Sequence, residues 1–232
     1  MSDEFSISNV NGEDLLKSAA LTYARNYGDE IVPEAIVLHY TAGGSAKSTI
    51  EWLSENDQEY VSAHIVVARN GAITQMVPFN FKAFHAGISE WQGRRDLNAW
   101  SIGIEIANWG FLKERSDGAL TSWAGRVVER QDAAYATHKY GAPSGYWEKY
   151  EKAQIESVER LCRFLCRYYG ISIVVGHDDV APGRKADPGP LFPIDDVRAY
   201  SLFVDDESDL RVDATYNDVV EAVASTIRRF TS

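Results

Sequence analysis

Two histidines and one aspartate have the types and positions that could support chemistry. His39 ends the apolar run IVLHYTAG, while His177 and Asp187 lie ten residues apart within GHDDVAPGRKADPGP. Two imidazoles and one carboxylate form a three-ligand zinc site, and catalytic zinc needs the fourth position open for the attacking water. Because such residues are usually unrelated when they lie far apart in a sequence, the prediction depends on the elements that carry them.

Two further residues are candidates for chemistry beside a metal ion. Glu105 lies within the apolar run SIGIEIAN, where a lone carboxylate is costly unless it is paired or functional. As a general base it would take a proton from water and pass it to a leaving nitrogen. Lys185 lies two residues before Asp187 and would stabilise an oxyanion. The alternatives are an exposed strand position for the glutamate and a solvated side chain for the lysine.

The remaining three histidines give weaker signals. His64 lies in VSAHIVV, where strand alternation favours a role in the core or behind the metal ligands. His85, in AFHAG, belongs either to a cleft wall or to the structure beneath it, and His138, in ATHKYG, is predicted to lie on the surface. We therefore leave all three out of the predicted metal site.

Short apolar strands that alternate with helices are predicted to position these residues. Strands over 35–40 and 171–177 end at His39 or His177, and in open α/β sheets ligands bind outside the carboxyl ends of the strands. A hairpin over 60–77, a central strand over 101–107 and helices over 45–56 and 151–169 follow from the apolar periodicity. The sequence therefore predicts an α/β fold with a single mixed central β-sheet flanked by helices, and a zinc site in a cleft at the strand ends.

The predicted domain organisation is one catalytic domain with additions. Residues 1–194 are expected to form this domain, with an N-terminal helix over 12–27. The segment 109–150 is rich in Gly, Trp, Tyr and charged residues, and its length is typical of an insertion or a functional flap. We expect its aromatic rings to build one wall of the substrate cleft. Residues 195–232 are expected to form a docked helical appendage.

The composition argues against several classes of partner. The chain has 232 residues, a formal net charge of −11 and a pI near 4.9, which disfavours nucleic acid and anionic membranes as partners. Its two cysteines, Cys162 and Cys166, have helical spacing and are predicted to be free and buried. The N-terminal residues lack the basic and apolar regions of a signal peptide. We therefore expect a cytoplasmic protein that acts elsewhere only if something else releases it.

Four blocks of the chain occur together in an order that is highly specific. They are IVLHYTAG, VSAHIVVARNGAITQMVPFNFKAFHAG, WQGRRDLNAWSIGIEIAN and GHDDVAPGRKADPGPLFP, and they span residues 36–193. In this combination the sequence resembles the zinc-dependent N-acetylmuramoyl-L-alanine amidases, which include anhydromuropeptide amidases, phage endolysins and peptidoglycan recognition proteins. The resemblance implies cleavage of the amide between N-acetylmuramic acid and L-alanine, with peptidoglycan or a muropeptide as substrate.

The resemblance also implies a role for each candidate residue. The zinc ligands, one ion per chain, would be His39, His177 and Asp187. Glu105 would be the catalytic acid/base, and Lys185 would stabilise the oxyanion. We assign contacts with the substrate to five further residues, namely His64, His85, Arg94, Asn98 and Trp109.

Departures from the family pattern shape these expectations. Ala63 stands where some relatives have a catalytic tyrosine, so the base role falls on Glu105. Arg95 and Asp96 follow Arg94 where recycling enzymes carry a second arginine two residues on, which weakens the predicted contact with the acidic end of the peptide. The long 109–150 segment favours a wall-degrading lysin, or another specialised amidase, over a recycling enzyme, and such a lysin would reach the wall by release or lysis. The alternatives are a non-catalytic peptidoglycan-binding module, which typically lacks a zinc ligand, and a zinc peptidase that cleaves another amide.

Overall fold

A six-stranded mixed β-sheet carries the candidate site. The computed structural model describes residues 5–56, 60–141 and 143–203. The first elements are β1 (Ile7–Val10), β2 (Glu13–Leu16), β3 (Ala20–Leu21), β4 (Ala35–Tyr40), α1 (Ala46–Glu55), β5 (Ile65–Val67), β6 (Ile73–Gln75), β7 (Glu90–Trp91), β8 (Arg94–Arg95) and β9 (Ser101–Ile106). The later elements are β10 (Phe111–Glu114), β11 (Leu120–Thr121), β12 (Val127–Val128), β13 (Ala133–Thr137), β14 (Ser144–Glu148), α2 (Lys152–Tyr169), β15 (Ile173–Gly176), α3 (His177–Val180) and α4 (Ile194–Leu202).

The central sheet has the strand order β15-β4-β9-β5-β6-β3. Strands β15, β4, β9 and β5 run parallel to one another, whereas β6 pairs antiparallel with β5. The carboxyl ends of the four parallel strands therefore meet at the same edge of the sheet, where open α/β sheets bind their ligands. The predicted α/β fold with a mixed central sheet is confirmed, as are the strand that carries His39 near its end and the strand that ends before His177.

The two faces of the central sheet have different tasks. Ile102, Ile104 and Ile106 of β9 lie in one fully buried apolar cluster with α2, to which the helix contributes Leu161 and Leu165. Because successive side chains of a strand point to opposite faces, Glu105 points away from this cluster. The opposite face carries the polar side chains of the site beside a second buried apolar cluster, which includes Val37 and Val175.

The predicted helix over 12–27 is wrong. Strands β1 and β2 form an antiparallel hairpin there, and β3 pairs with β6 of the central sheet. Asn11 and Gly12, at the turn of the hairpin, have φ values of 54° and 88°. Positive φ at both turn residues, with an Asn-Gly pair, is the strongest short-range hairpin signal. This local turn preference outweighs an apolar spacing that was too short to specify a helix.

The segment 109–150, called here the insertion, forms a separate antiparallel sheet. Its strand order is β12-β11-β10-β14-β13, and no strand in it is longer than five residues. Such short strands explain the weak periodicity of this part of the sequence. A small buried apolar cluster holds the sheet together and consists of Leu112, Leu120, Val128 and Ala133.

The end of the described chain is helical. Helix α4 covers Ile194–Leu202, and all but its first residue belong to the predicted C-terminal appendage. Residues 204–232 lie outside the described part of the chain, so the docked helical appendage over 195–232 stays a prediction. Within the residues that the structure describes, no helix combines the length and apolar character needed to cross a membrane. Cys162 and Cys166 are free and buried, as predicted.

Candidate metal centre

The predicted metal ligands come together at the carboxyl edge of the central sheet. His39 is the fifth residue of β4, and His177 follows β15 directly as the first residue of α3. Strands β4 and β15 are parallel neighbours, with Leu38 in register with Gly176. The two histidines therefore leave adjacent strand ends side by side. Asp187 comes from the loop after α3, whose backbone is tied to that helix by the hydrogen bond from Asp178 N to Asp187 O at 2.8 Å.

Three ligand atoms form a nearly equilateral triangle. His39 Nδ1 lies 2.9 Å from His177 Nδ1 and 3.0 Å from Asp187 Oδ2, and His177 Nδ1 lies 2.9 Å from the same oxygen. The three residues are 1%, 2% and 7% exposed, respectively. Ligand atoms at 2.0–2.1 Å from a tetrahedral zinc ion lie about 3.3 Å apart. The triangle thus has nearly the size that one metal ion requires, and the group can hold such an ion.

Hydrogen bonds at the far side of each imidazole fix the tautomer. His177 Nε2 donates to the carbonyl oxygen of Ala86 at 3.0 Å, and His39 Nε2 lies 3.0 Å from His85 Nδ1. With Nε2 as the donor in both rings, both Nδ1 atoms present lone pairs to each other at 2.9 Å. Two facing lone pairs repel unless a cation lies between them. The arrangement therefore fits a metal ion chemically as well as in size.

The dipeptide His85–Ala86 supports both imidazoles from behind. The side chain of His85 contacts His39 and its Nε2 lies 3.3 Å from Ser101 Oγ, while the carbonyl of Ala86 accepts from His177. The side-chain oxygen of Asn98 accepts hydrogen bonds from both amides of this dipeptide, at 3.0 and 2.7 Å. Such partners behind the ligands orient them and raise the affinity for metal.

Glu105 points to the same region as His39. The two residues are register partners on the parallel strands β4 and β9, so their side chains lie on the same face of the sheet. Glu105 Oε2 is buried and has no hydrogen-bond partner among the described residues. Burial raises the pKa of this carboxyl well above its usual range, the charge of Asp187 raises it further, and the charge of Lys185 lowers it. A raised pKa and an unpaired buried oxygen are typical of a group that exchanges protons in a reaction.

Two of the ligands, His39 and Asp187, have the protonation states that metal binding needs. Burial and the neighbouring His177 lower the pKa of His39 to about 4, so the ring is neutral near pH 7. Burial tends to raise the pKa of Asp187, but the imidazoles of His177 and His39 beside it outweigh burial and hold this pKa well below its usual range. The Lys185 side chain is exposed, yet its charge affects the pKa values of both His39 and Glu105. It therefore lies close enough to act on charge at the centre.

Three residues that we assigned to the substrate are buried. His64 is fully buried, accepts from Gly103 N at 2.9 Å and donates to Phe81 O at 2.8 Å, and its contact with the substrate stays a prediction. His85 and Asn98 are also buried, and their contacts hold the metal ligands as described above. For these two residues as well, contact with the substrate stays a prediction.

The other two assigned residues, Arg94 and Trp109, are not buried. Arg94 is exposed, forms a two-pronged ion pair with Glu34 at 2.6 and 2.8 Å, and lies over the ring of Trp100. Trp109 is half-buried and packs on the backbone at Gly44, where an added Cβ would lie 2.6 Å from the ring. For both, contact with the substrate stays a prediction.

The insertion reaches the loop that follows His39. Besides Trp109, it contributes Trp123, which is 77% exposed and donates its indole N–H to Ala42 O at 2.6 Å. Ala42 lies three residues after His39 in the sequence. The hydrogen bond fixes the orientation of a ring whose faces are free, so the geometry is compatible with the cleft wall predicted for this segment.

One prediction about a histidine fails, and the failure uncovers residues that the sequence did not indicate. His138 was expected on the surface, but it is 2% exposed and its Nε2 lies 2.9 Å from Asp178 Oδ2. No periodicity marks this residue, because it lies at the end of a five-residue strand next to a turn. Asp178 had one available signal, its position directly after the ligand His177. Neither residue entered the predicted site.

Comparisons with known proteins agree with this geometry. The family model described as N-acetylmuramoyl-L-alanine amidase matches residues 29–190. The N-acetylmuramoyl-L-alanine amidase AmiD of Escherichia coli (strain K12) is 37% identical over 169 residues, which cover 69% of this chain and 50% of that protein.

Solved structures of N-acetylmuramoyl-L-alanine amidases also match this chain. A selenomethionine derivative of AmpD matches with a TM-score of 0.58 and 26% identity, and the match covers 80% of this chain and 96% of the other. The complex of AmiD from E. coli with anhydro-N-acetylmuramic acid-L-Ala-D-gamma-Glu-L-Lys matches with a TM-score of 0.54 and 30% identity, over 87% of this chain and 68% of the other. The chain spans about half the length of the curated relatives that it matches.

Proposed function

The chain belongs to the N-acetylmuramoyl-L-alanine amidase family, and from this membership we propose that it is a zinc-dependent peptidoglycan amidase. It would hydrolyse the amide between the lactyl group of N-acetylmuramic acid and the L-alanine of the stem peptide. The observation that carries the proposal is the triangle of His39, His177 and Asp187 with Glu105 in register beside it. The muropeptide bound to the related AmiD supports the substrate class.

Zinc is the metal that this donor set favours. Two imidazole nitrogens and one carboxylate oxygen are common ligands of catalytic zinc, which keeps a fourth position open. The ligand side chains are buried, so a charge placed between them is weakly screened by solvent and strongly attracts its ligands. A zinc ion bound here would lower the pKa of a coordinated water to about 7 and polarise the carbonyl of the scissile amide.

Glu105 and Lys185 would supply the remaining chemistry. The raised pKa of Glu105 suits a carboxylate that accepts a proton from the attacking water and then holds it as an acid. Glu105 would deliver this proton to the nitrogen of L-alanine, so that the amine leaves neutral. Lys185 would place its positive charge beside the oxygen of the tetrahedral intermediate. Ala63 offers no hydroxyl for either proton transfer, so Glu105 carries both.

The identity of the products tests the proposal. The purified protein is incubated with intact sacculi and, separately, with soluble anhydromuropeptides, and the products are identified by mass. We expect free stem peptides that begin with L-alanine and glycan or anhydromuramic acid that carries a free lactyl carboxylate. Glu105→Gln, which keeps the size of the side chain, and protein stripped of metal by a chelator are the matched controls, and added zinc should restore only the stripped protein.

Each alternative function gives a different result. Binding to sacculi without release of peptide would support the non-catalytic binding module, and cleavage within the stem peptide would support the peptidase. The presence of three ligands and Glu105 supports the enzyme. The two substrates also separate a wall-degrading amidase, which we favour because of the long insertion, from a recycling enzyme, which would act on the soluble muropeptides alone.

A further inference from the structure

The insertion contributes to a cluster of polar and charged side chains, with a buried His–Asp pair at its centre, that the proposed reaction does not use. His138, Lys139 and Tyr140 follow one another in the turn between β13 and β14, within the insertion. They contact Asp178 and Asp179, the two residues that follow the metal ligand His177. We call these five residues the clamp.

The clamp consists of well-defined polar contacts. His138 Nε2 lies 2.9 Å from Asp178 Oδ2, and these side chains are 1% and 2% exposed. Lys139 Nζ lies 3.0 Å from Asp178 Oδ1 and 2.7 Å from Asp179 Oδ1. The hydroxyl of Tyr140 donates to Asp179 Oδ1 at 2.9 Å, and its backbone amide donates to His138 Nδ1 at 3.3 Å. That last bond leaves Nε2 as the donor toward Asp178.

The same two acids are joined to the backbone that carries the metal ligands. Asp179 Oδ2 accepts from the amide of Gly176 at 2.9 Å, which closes the turn around His177. The amide of Asp178 donates to the carbonyl of Asp187 at 2.8 Å. A displacement of Asp178 or Asp179 would therefore move His177 and Asp187 together, two of the three corners of the ligand triangle.

The buried part of the clamp is His138 with Asp178, and it specifies an arrangement more than it adds stability. Removing the Asp178 carboxylate from water costs several kcal/mol, so that its polar contacts contribute little net stability compared with apolar residues of the same volume. What they do provide is a single arrangement, because any other leaves a charge buried without a partner. The arrangement fixed here is that of the turn carrying His177.

We propose that the clamp is a positioning element of the metal centre. Through His138, Lys139 and Tyr140 the insertion holds the turn that carries His177 and couples it to Asp187, and in this way it raises the affinity for the metal ion. This inference rests on the proposed function, because it takes the His39–His177–Asp187 triangle as the metal site. The insertion would thus have a second role, in addition to forming the predicted wall of the cleft.

The affinity for zinc tests the inference without any measurement of activity. Metal-free protein is titrated with zinc in competition with a chromophoric chelator, for wild type, His138→Leu, Lys139→Ala and Tyr140→Phe. We expect an affinity about 10- to 100-fold lower in His138→Leu, the range found for partners behind metal ligands, and about 10-fold lower in Lys139→Ala. Arg130→Ala is the matched control, since Arg130 pairs with Glu114 elsewhere in the insertion, and it should bind zinc like wild type.

Two results would overturn the inference, and they can be told apart. If wild type binds zinc tightly and Lys139→Ala and Tyr140→Phe bind it equally well, the clamp is structural only and the proposed function stands. If wild type binds no zinc, or His177→Ala binds it as tightly as wild type, the proposed function fails and the clamp hypothesis fails with it. Should His138→Leu not fold, Lys139→Ala and Tyr140→Phe decide alone, because both truncate side chains that reach solvent.

Discussion

The central sheet and the insertion hold their residues in place by different means. In the central sheet, β4 and β9 are parallel strands of six residues each, with isoleucines that have no exposed surface. In the insertion, strands of two to five residues enclose a small apolar cluster. Besides the packing of Trp109 on Gly44, it is joined to the central domain by polar contacts, such as the ion pair of Arg69 with Glu148 at 2.9 Å and the pair of His138 with Asp178.

The central sheet and the insertion therefore have different roles at the metal centre. Apolar packing of the sheet fixes the backbone, and the strand ends then decide which side chains meet at the metal centre. The polar contacts of the insertion act on loops that the sheet leaves free, namely the loop after His39 and the turn of His177. Substitutions at the carboxyl edge of the central sheet should therefore abolish the reaction. Substitutions in the insertion should only lower the affinity for zinc or for the substrate.

The largest effect on rate is expected from Glu105. In Glu105→Gln the group that transfers the proton is lost while the volume is kept, so turnover should fall by about two to four orders of magnitude. Zinc content and melting temperature should stay close to wild type. Glu114→Gln, an equal change in the insertion, is the control. Near wild-type turnover in Glu105→Gln would show that Glu105 does not transfer the proton. Substitutions at the edge of the central sheet would then not be the ones that abolish the reaction.

A second large effect is expected from Lys185. Lys185→Ala removes the charge that acts on the oxyanion, and kcat should fall about 100-fold or more while KM changes little. Steady-state kinetics on a soluble muropeptide separate the two parameters. Lys152→Ala removes an exposed lysine that pairs with Glu156 on α2 and should be without effect. A rise in KM at constant kcat would assign Lys185 to substrate binding instead.

A smaller effect is expected from His85, and it concerns the affinity for zinc instead of the rate of the reaction. His85→Phe retains the aromatic ring but loses the hydrogen bond to His39, so the affinity for zinc should fall about 10- to 100-fold. His64→Phe is the matched control because, among the described residues, the ring of His64 forms its hydrogen bonds with the backbone atoms Gly103 N and Phe81 O. It should lower the melting temperature and leave zinc binding unchanged. Equal zinc affinities in the two variants would show that the support behind His39 is dispensable.

The smallest effect is expected from the exposed ring of the insertion. If Trp123 lines the cleft, Trp123→Ala loses roughly 1 kcal/mol of aromatic contact and KM rises about 3- to 10-fold. The melting temperature should not change, because the ring is largely exposed. Trp52→Ala, which truncates an exposed tryptophan of α1, is the control. A lower melting temperature with unchanged kinetics would instead mean that Trp123 only packs the insertion against the loop at Ala42.

The sequence predicts the central sheet well because local and global signals agree there. The apolar run of β4 is followed by Thr and Gly, so both the strand and its end are visible, and His39 lies at that end. The helical spacing of Cys162 and Cys166 similarly predicts the buried face of α2. The family blocks coincide with these strand ends, which is why the ligand triangle could be predicted without any structure.

The sequence predicts the polar supports poorly because they depend on contacts between distant residues. His138 and Asp178 are 40 residues apart, and His39 and His85 are 46 apart. Neither pair has a periodic pattern that would mark it. The error over 12–27 has another cause, since the Asn-Gly turn at residues 11 and 12 was a local signal that outweighed a short helical spacing. In each case hydrogen bonding, not apolar periodicity, decided the structure.

The central claim is that His39, His177 and Asp187 hold one metal ion. Elemental analysis of the purified protein tests it most directly, with wild type and His177→Ala prepared side by side and their folds compared by circular dichroism. We expect about one zinc per wild-type chain and almost none in a folded His177→Ala. A full equivalent of zinc retained by His177→Ala would show that these three residues are not the metal ligands.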